Sequence, residues 1–281
     1  MPEVCTERTP RVAAARKLLR RAGRERAGRF LAEGAQAVGA ALAAPSADGR
    51  PGARVFELFV TRGAADRNQG LLADAHRAGI AVSEVTDRAA EALSETVTPQ
   101  GLIAVCALVD RPLDEALAGH PELVVVPVDA SEPGNLGTVI RVSDAAGADA
   151  VLLAGDGVDP HNGKCVRGSV GSLFHLPIAR DRDVAAVLAG CRRAGLRLLA
   201  ATAAGEHDLH DPATEDLLRG PCAWLFGSEA HGLPADVVAQ ADARVRVPIY
   251  GRAESLNLAT AAAVCVYATA RARRPARISA T

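Results

Sequence analysis

The second half of the chain carries five short, nearly uninterrupted apolar runs: LVVVPVD (123–129), AVLLAG (150–155), LRLLAAT (196–202), CAWLFG (222–227) and RVRVPI (244–249). Helical patterns separate them at 136–147, 183–194 and 234–241. Strands that are apolar on both faces must be covered on both faces, which is the condition of a parallel sheet flanked by helices. Ligands on such sheets sit outside the carboxyl ends of the strands. The loops to inspect are therefore 129–137, 155–170, 202–212, 227–233 and 249–256.

The first half repeats the alternation on a smaller scale. VFELFVT, IAVSEVT and GLIAVCALV read as strands, and 64–79 and 87–96 as helices between them, so this is a second α/β unit. Before it lie FLAEGAQAVGAALAA and a polar linker, PSADGRPGAR. The polar stretch DRPLDEALAGHPE (110–122) separates the two units. A length of 281 residues accommodates two domains, and the expected division is 1–112 and 113–281.

A formal net charge of −1 excludes a polycation that holds nucleic acid by charge alone. It leaves room for a local basic face. Arginines crowd the first thirty residues, and 11–23 reads as one helix with Val12, Leu18 and Leu19 inward. Arg16, Lys17, Arg20 and Arg24 on its outer side are either a solvated face or a phosphate-facing patch. Six cysteines, none in a CxxC pair, read as core residues in a reducing compartment. The N-terminus has no signal-peptide core, and no apolar run reaches the ~20 residues of a membrane span. A soluble cytoplasmic protein is expected.

The loops hold the chemistry. In DASEPGNLGTVIRVSDAAG, Gly134 and Gly137 bracket Asn135, and Arg141 lies one helical turn beyond Gly137. In GDGVDPHNGKC, Gly155 and Gly157 begin a GxGxxG, but Pro160 occupies the third glycine position, so the dinucleotide fingerprint fails. His161, His207, His210 and His231 lack partners at metal-ligand spacing and read as loop histidines, with no metal expected. LFGSEAHGLP places Glu229 on a glycine-rich turn, where it either meets a ligand or caps a helix. In VPIYGRAESLNLATAAAVCVYATA, Glu254, Ser255 and Asn257 precede a helix with no polar face. Ser255 and Asn257 are good capping residues. A helix apolar all round is expected to be buried all round, within its own domain or against a partner subunit.

Together these loops resemble the three signature motifs of the SPOUT methyltransferases, in the TrmH (SpoU) branch. The first motif corresponds to Asn135, Gly137 and Arg141. The second corresponds to Gly227, Ser228, Glu229 and Gly232. The third corresponds to Pro248, Ser255, Leu256 and Asn257. Order and spacing match across roughly 122 to 275, and VRGSVGSLFHLPI is similar to the segment between the first two motifs. GRERAGRFLAEG and TPQGLIAVC resemble the RNA-binding α/β domain often fused ahead of this catalytic domain.

The resemblance implies a parallel-sheet α/β domain whose C-terminal part forms a trefoil knot, preceded by a smaller RNA-binding α/β domain. It implies S-adenosylmethionine as cofactor, with Thr202, Phe226, Gly227, Val247, Ile249 and Leu256 around it. It implies a homodimer through the knotted domain, and methyl transfer to a ribose 2′-hydroxyl of RNA. Arg141 is placed at the reactive centre. Asn135 would position Arg141 or the ribose, Glu229 would order the cofactor loop or contact RNA, and Ser255 and Asn257 would shape the pocket. Ribosomal RNA is the expected substrate and transfer RNA the alternative. A catalytically silent RNA-binding protein of the same fold is the other alternative, and the intact motif residues speak against it. The missing GxGxxG speaks against a nucleotide-dependent oxidoreductase.

Overall fold

The computed structural model describes residues 4–44 and 54–273. The chain divides into two units: residues 1–109 with 159–175, and residues 110–158 with 176–281. All but one residue of the polar linker PSADGRPGAR lies outside the described residues.

The first unit opens with α1 (Pro10–Arg16), α2 (Arg21–Ala27), β1 (Arg29–Glu33), α3 (Ala35–Ala43), β2 (Val55–Val60), α4 (Arg62–Arg67), α5 (Gln69–Arg77), β3 (Ala81–Glu84), α6 (Asp87–Ala92) and β4 (Leu102–Ala107). Its sheet has the order β1-β4-β2-β3. β4 runs antiparallel to both β1 and β2, while β2 and β3 are parallel. Val12, Leu18, Leu31, Phe59, Leu93, Ile103 and Val105 pack together as a core.

The single helix expected over 11–23 is two short helices. A 3-10 turn at Lys17–Leu19 and an extended Arg20 (φ −98°, ψ 139°) separate them. The carbonyls of Leu18 and Leu19, released from helical bonding, accept from Arg24 Nη1 at 3.0 and 2.9 Å. The helix expected over 64–79 also breaks, at Asn68. Its amide donates to the Ala64 carbonyl at 2.8 Å and terminates α4.

The second unit contains β5 (Asp110–Arg111), α7 (Leu113–Ala116), β6 (Leu123–Pro127), α8 (Pro133–Ala146) and β7 (Ala150–Ala154). The chain then enters the first unit for α9 (Gly163–Ser169). It returns for β8 (Ile178–Asp181), α10 (Val184–Arg193), β9 (Arg197–Ala201), β10 (His207–Asp208), α11 (Pro212–Arg219), β11 (Cys222–Phe226), α12 (Ala235–Gln240), β12 (Ala243–Arg246) and α13 (Leu258–Arg273). Eight strands form one sheet in the order β10-β12-β9-β11-β6-β7-β8-β5. Every pairing is parallel. β6, β7 and β11 are buried along their whole length, as double coverage requires. The polar stretch 110–122 is not a bare connector, because it supplies edge strand β5 and helix α7.

The burial expected all round α13 is found on one face. Leu258, Ala262, Cys265, Val266, Thr269 and Ala272 are buried, and the helix packs on α8, α11 and β11. Thr269 Oγ1 accepts from the indole of the fully buried Trp224 at 2.9 Å, fixing the helix to the sheet. Thr260, Tyr267 and Arg271 remain exposed on the opposite side, with Tyr267 50% exposed.

Candidate active site

Strand order determines what meets at the carboxyl edge of the larger sheet. β12, β9, β11 and β6 are neighbours, so the loops that leave them lie side by side. Three of these loops enclose a cleft of about 630 Å³, within the usual range for small-molecule sites. Its walls include Ala201 and Thr202 at the end of β9, Phe226 to Leu233 from the end of β11 onward, and Val247, Ile249 and Glu254 to Leu258 between β12 and the first residue of α13. Thr202, Phe226, Gly227, Val247, Ile249 and Leu256 all line it, as do Glu229, Ser255 and Asn257.

The β11 loop closes on itself. Ser228 N donates to Gly232 O at 3.2 Å, and Gly232 N returns a bond to Ser228 O at 2.9 Å. Gly232 has φ +67°, a left-handed conformation that suits glycine. A Cβ on Gly227 would lie 1.9 Å from the Gly232 carbonyl carbon, so only glycine fits at this crossing.

The loop after β6 joins through Glu229. Its Oε2 accepts from the Ser131 amide at 3.0 Å and the Ser131 hydroxyl at 2.8 Å. Its Oε1 accepts from the Glu132 amide at 3.2 Å and from Asn135 Nδ2 at 2.9 Å. Partial desolvation pushes the Glu229 pKa up, but the bonds from Asn135 and Ser131 outweigh it and hold the carboxyl at about 2, against an ordinary 4.5.

A carboxylate only accepts, so Asn135 must turn its NH₂ toward Glu229 and its oxygen away. That oxygen accepts from Asn257 Nδ2 at 3.0 Å. Asn257 in turn uses its own oxygen to cap α13, accepting from Ala259 N at 2.9 Å and Thr260 N at 3.3 Å. The capping reading of Asn257 and its place in the cleft therefore hold together. One hydrogen-bonded line, Glu229–Asn135–Asn257, joins the three motif loops.

Arg141 stands on α8, exposed, and is not among the cleft-lining residues. Its side chain makes no hydrogen bond or ion pair among the described residues. Arg16, Lys17 and Arg20 are exposed in the first unit. Arg24 is not, and the expectation that it faces a phosphate is corrected. It is 4% exposed, and its Nε donates to Asp159 Oδ2 at 2.8 Å. His161 is likewise a buried residue rather than a loop histidine. Its Nε2 accepts from Val109 N at 3.1 Å, which leaves the ring proton on Nδ1 for Asp159 Oδ1 at 3.1 Å. Burial pushes the Asp159 pKa up, but His161 and Arg24 together hold it far below the carboxylate range.

Sequence reasoning missed Ser131 and Asp129. Asp129 has φ 51°, unusual for a residue with a side chain, and its Oδ1 accepts from Asp156 N at 2.8 Å. This bond and Val158 N to Ala130 O at 2.8 Å brace the loop that presents Ser131. The aspartate directly after an apolar strand was the available signal.

Residues 122–267 match the SpoU rRNA Methylase family, and residues 9–104 match the MRM3-like substrate binding domain. The 23S rRNA (guanosine(2553)-2'-O)-methyltransferase RlmP of Bacillus subtilis is 32% identical over 269 residues, spanning 95% of this chain and 98% of that protein. A crystal structure of an RNA 2'-O ribose methyltransferase is similar with a TM-score of 0.80 at 34% identity, covering 96% of this chain and 99% of that one. The AdoMet-bound rRNA methyltransferase from Sinorhizobium meliloti gives a TM-score of 0.78 at 28% identity, covering 96% and 97%. With the three motif loops gathered at one sheet edge and a family match over more than half its length, the chain belongs to the SpoU rRNA methylase family.

Proposed function

We propose that the chain transfers a methyl group from S-adenosylmethionine to a ribose 2′-hydroxyl of ribosomal RNA. The observation that carries this reading is the line Glu229–Asn135–Asn257, which ties three family motifs around one cleft. The cleft suits the cofactor chemically. Phe226, Val247, Ile249 and Leu256 would offer apolar wall to an adenine ring, Gly227 would let backbone come close, and Glu229 and Glu254 would give the cleft negative charge that suits a cationic donor. When bound, S-adenosylmethionine supplies an activated methyl group on a sulfonium.

The chain's own task is to orient the acceptor and ease the loss of its proton to a phosphate oxygen or water. Holding reactants in attack geometry can supply roughly 7–11 kcal/mol. Arg141 grips an RNA phosphate in bidentate fashion and stabilises developing negative charge on the hydroxyl oxygen. A guanidinium with a pKa above about 12 is no base near neutrality. Asn135 and Glu229 are occupied by bonds within the protein, so they hold loop geometry. Ser255 and Asn257, which line the cleft, would shape the pocket and contact the substrate.

Residues 1–112 serve as the RNA-gripping domain, with Arg16, Lys17 and Arg20 on phosphates, and 113–281 as the methyltransferase domain. The second domain is threaded as a trefoil knot, supported by the packing of α13 on α8 after the chain has left β12 on the far side of β9 and β11. It pairs as a homodimer through the open stripe of α13, where Thr260, Val264, Tyr267 and Arg271 share one side. The protein works in the cytoplasm, where its six cysteines, all free and buried, stay thiols.

The test is transfer of radiolabelled methyl groups from S-adenosylmethionine to ribosomal RNA, followed by mapping of 2′-O-methyl sites with and without the gene. Arg141→Ala is expected to abolish transfer while cofactor affinity stays within about twofold. Methylation on a base, or no cofactor binding, overturns the reading.

A further inference from the structure

Aromatic residues make up only 3% of this chain. Trp224, Phe30, Phe59 and Phe226 are fully buried. Phe56 and Tyr267 are partly open, and Tyr250 is the most exposed aromatic among the described residues. It is 84% exposed, and it directly follows Ile249, which lines the cleft.

Tyr250 is also held in place. Its hydroxyl lies 2.9 Å from His210 Nδ1, and the two rings lie nearly parallel, at 18°, with centroids 6.1 Å apart. His210 is fixed in turn, because its amide donates to Asp208 Oδ1 at 2.9 Å. Asp208 Oδ2 accepts from Arg246 Nη2 at 3.2 Å, and Leu209 N donates to Arg246 O at 2.9 Å. The edge pairing of β10 with β12 thus orders both members of the pair. An exposed tyrosine with no task gains nothing from such a tether. A tyrosine that must receive a flat ligand gains preorganisation, since its rotamer freedom is already spent.

We propose that the Tyr250–His210 pair is a stacking platform for an unpaired RNA base, the one flanking the methylated nucleotide. This rests on the reading of the cleft as an RNA methyltransferase site. Single-stranded RNA is recognised largely by stacking splayed bases on aromatic side chains. A 2′-hydroxyl on a flexible strand is poorly aimed, and gripping the neighbouring base restrains it. Arg252, exposed two residues on and without an ion-pair partner among the described residues, supplies positive charge for the adjoining phosphate. A second copy of the chain is the weaker occupant. The platform is small and has the charged residues Arg252 and Glu254 close by in sequence, whereas an interface core is broad and poor in charge.

The test uses the full chain and a short mixed-sequence single-stranded oligoribonucleotide carrying 2-aminopurine. Wild type is expected to quench its fluorescence in a saturable way. Tyr250→Phe keeps the quench, since it keeps the ring. Tyr250→Ala loses it, with affinity falling roughly five- to 150-fold and S-adenosylmethionine affinity unchanged. Equal affinity and quench in Tyr250→Ala overturn the platform. A shift of Tyr250→Ala to a smaller species in sedimentation also overturns it, in favour of a subunit interface. Methyl transfer is measured on the same proteins. If the oligonucleotide binds through Tyr250 but no methyl is transferred to ribosomal RNA, the enzymatic reading fails and only base stacking on Tyr250 stands. If Tyr250→Ala transfers methyl groups with wild-type KM, the platform fails and the enzymatic reading stands.

Discussion

Asn135 Nδ2 lies 2.9 Å from Glu229 Oε1, a bond that joins positions 94 residues apart in the chain. It makes the first two motif loops one mechanical unit, and its chemistry allows only one orientation of the Asn135 amide.

Asn135→Asp should reverse the pH response of the cleft. In the wild type the Glu229 pKa is depressed to about 2. Its contribution to loop order is therefore complete above the ordinary carboxylate value and lost only as pH falls through about 2. Cofactor affinity should show no Glu229 step between about pH 5 and 8. In the variant two carboxylates face each other, one of them must take up a proton, and the apparent pKa rises. Affinity should be about tenfold weaker at alkaline pH and recover as pH falls. Calorimetric titration of S-adenosylmethionine across pH reads this directly.

Asn257 separates stability from activity. Asn257→Ala removes the α13 cap and the bond to Asn135, costing about 1 kcal/mol and a few degrees of Tm. Asn257→Ser keeps a capping oxygen but cannot reach Asn135. Both should lose methyl transfer, and only the alanine variant should melt early in a thermal scan.

Gly227→Ala should damage the cleft first. The new methyl would stand 1.9 Å from the Gly232 carbonyl carbon, so the turn must open. Overpacking of this kind costs about 1–3 kcal/mol. Cofactor Kd should rise by more than about tenfold, and retention of wild-type Kd would show that the turn yields without cost.

The basic N-terminal residues should split into two classes. Arg24→Ala breaks the buried ion pair while Asp159 keeps its bonds from His161, a loss of about 3 kcal/mol that lowers Tm by roughly ten degrees. Substituting Arg16, Lys17 and Arg20 by alanine should leave Tm unchanged. It should flatten the plot of log affinity against log salt by about 0.7–0.9 for each phosphate that is no longer neutralised.

The larger sheet was legible because strands buried on both faces leave unbroken apolar runs, and each of the five runs is a strand. β8 (Ile178–Asp181) was missed because its second half, Arg180 and Asp181, is polar. Arg180 pairs with Asp110 across the sheet, at 2.7 Å, which sequence spacing does not reveal. The cleft was legible as a set of loops, since the parallel sheet dictates where they emerge. The role of Arg24 was not. A charge inside a basic run looks solvated until a partner 135 residues away is brought against it. The one-sided burial of α13 was hidden for a related reason: alanine is compatible with either a covered or an open face.

The excursion of residues 159–175 into the first unit bears on how the protein is made. Phe30 is buried with His161 and Phe174 against its ring, at centroid distances of 4.8 and 5.8 Å. A ribosome that has emitted only the first hundred or so residues has not yet delivered either neighbour, nor the counter-ion of Arg24. The N-terminal unit must therefore wait, with part of its interior open, until more than half the polypeptide has been synthesised. The first unit is therefore finished only after the opening segment of the second, residues 110–158, has been made.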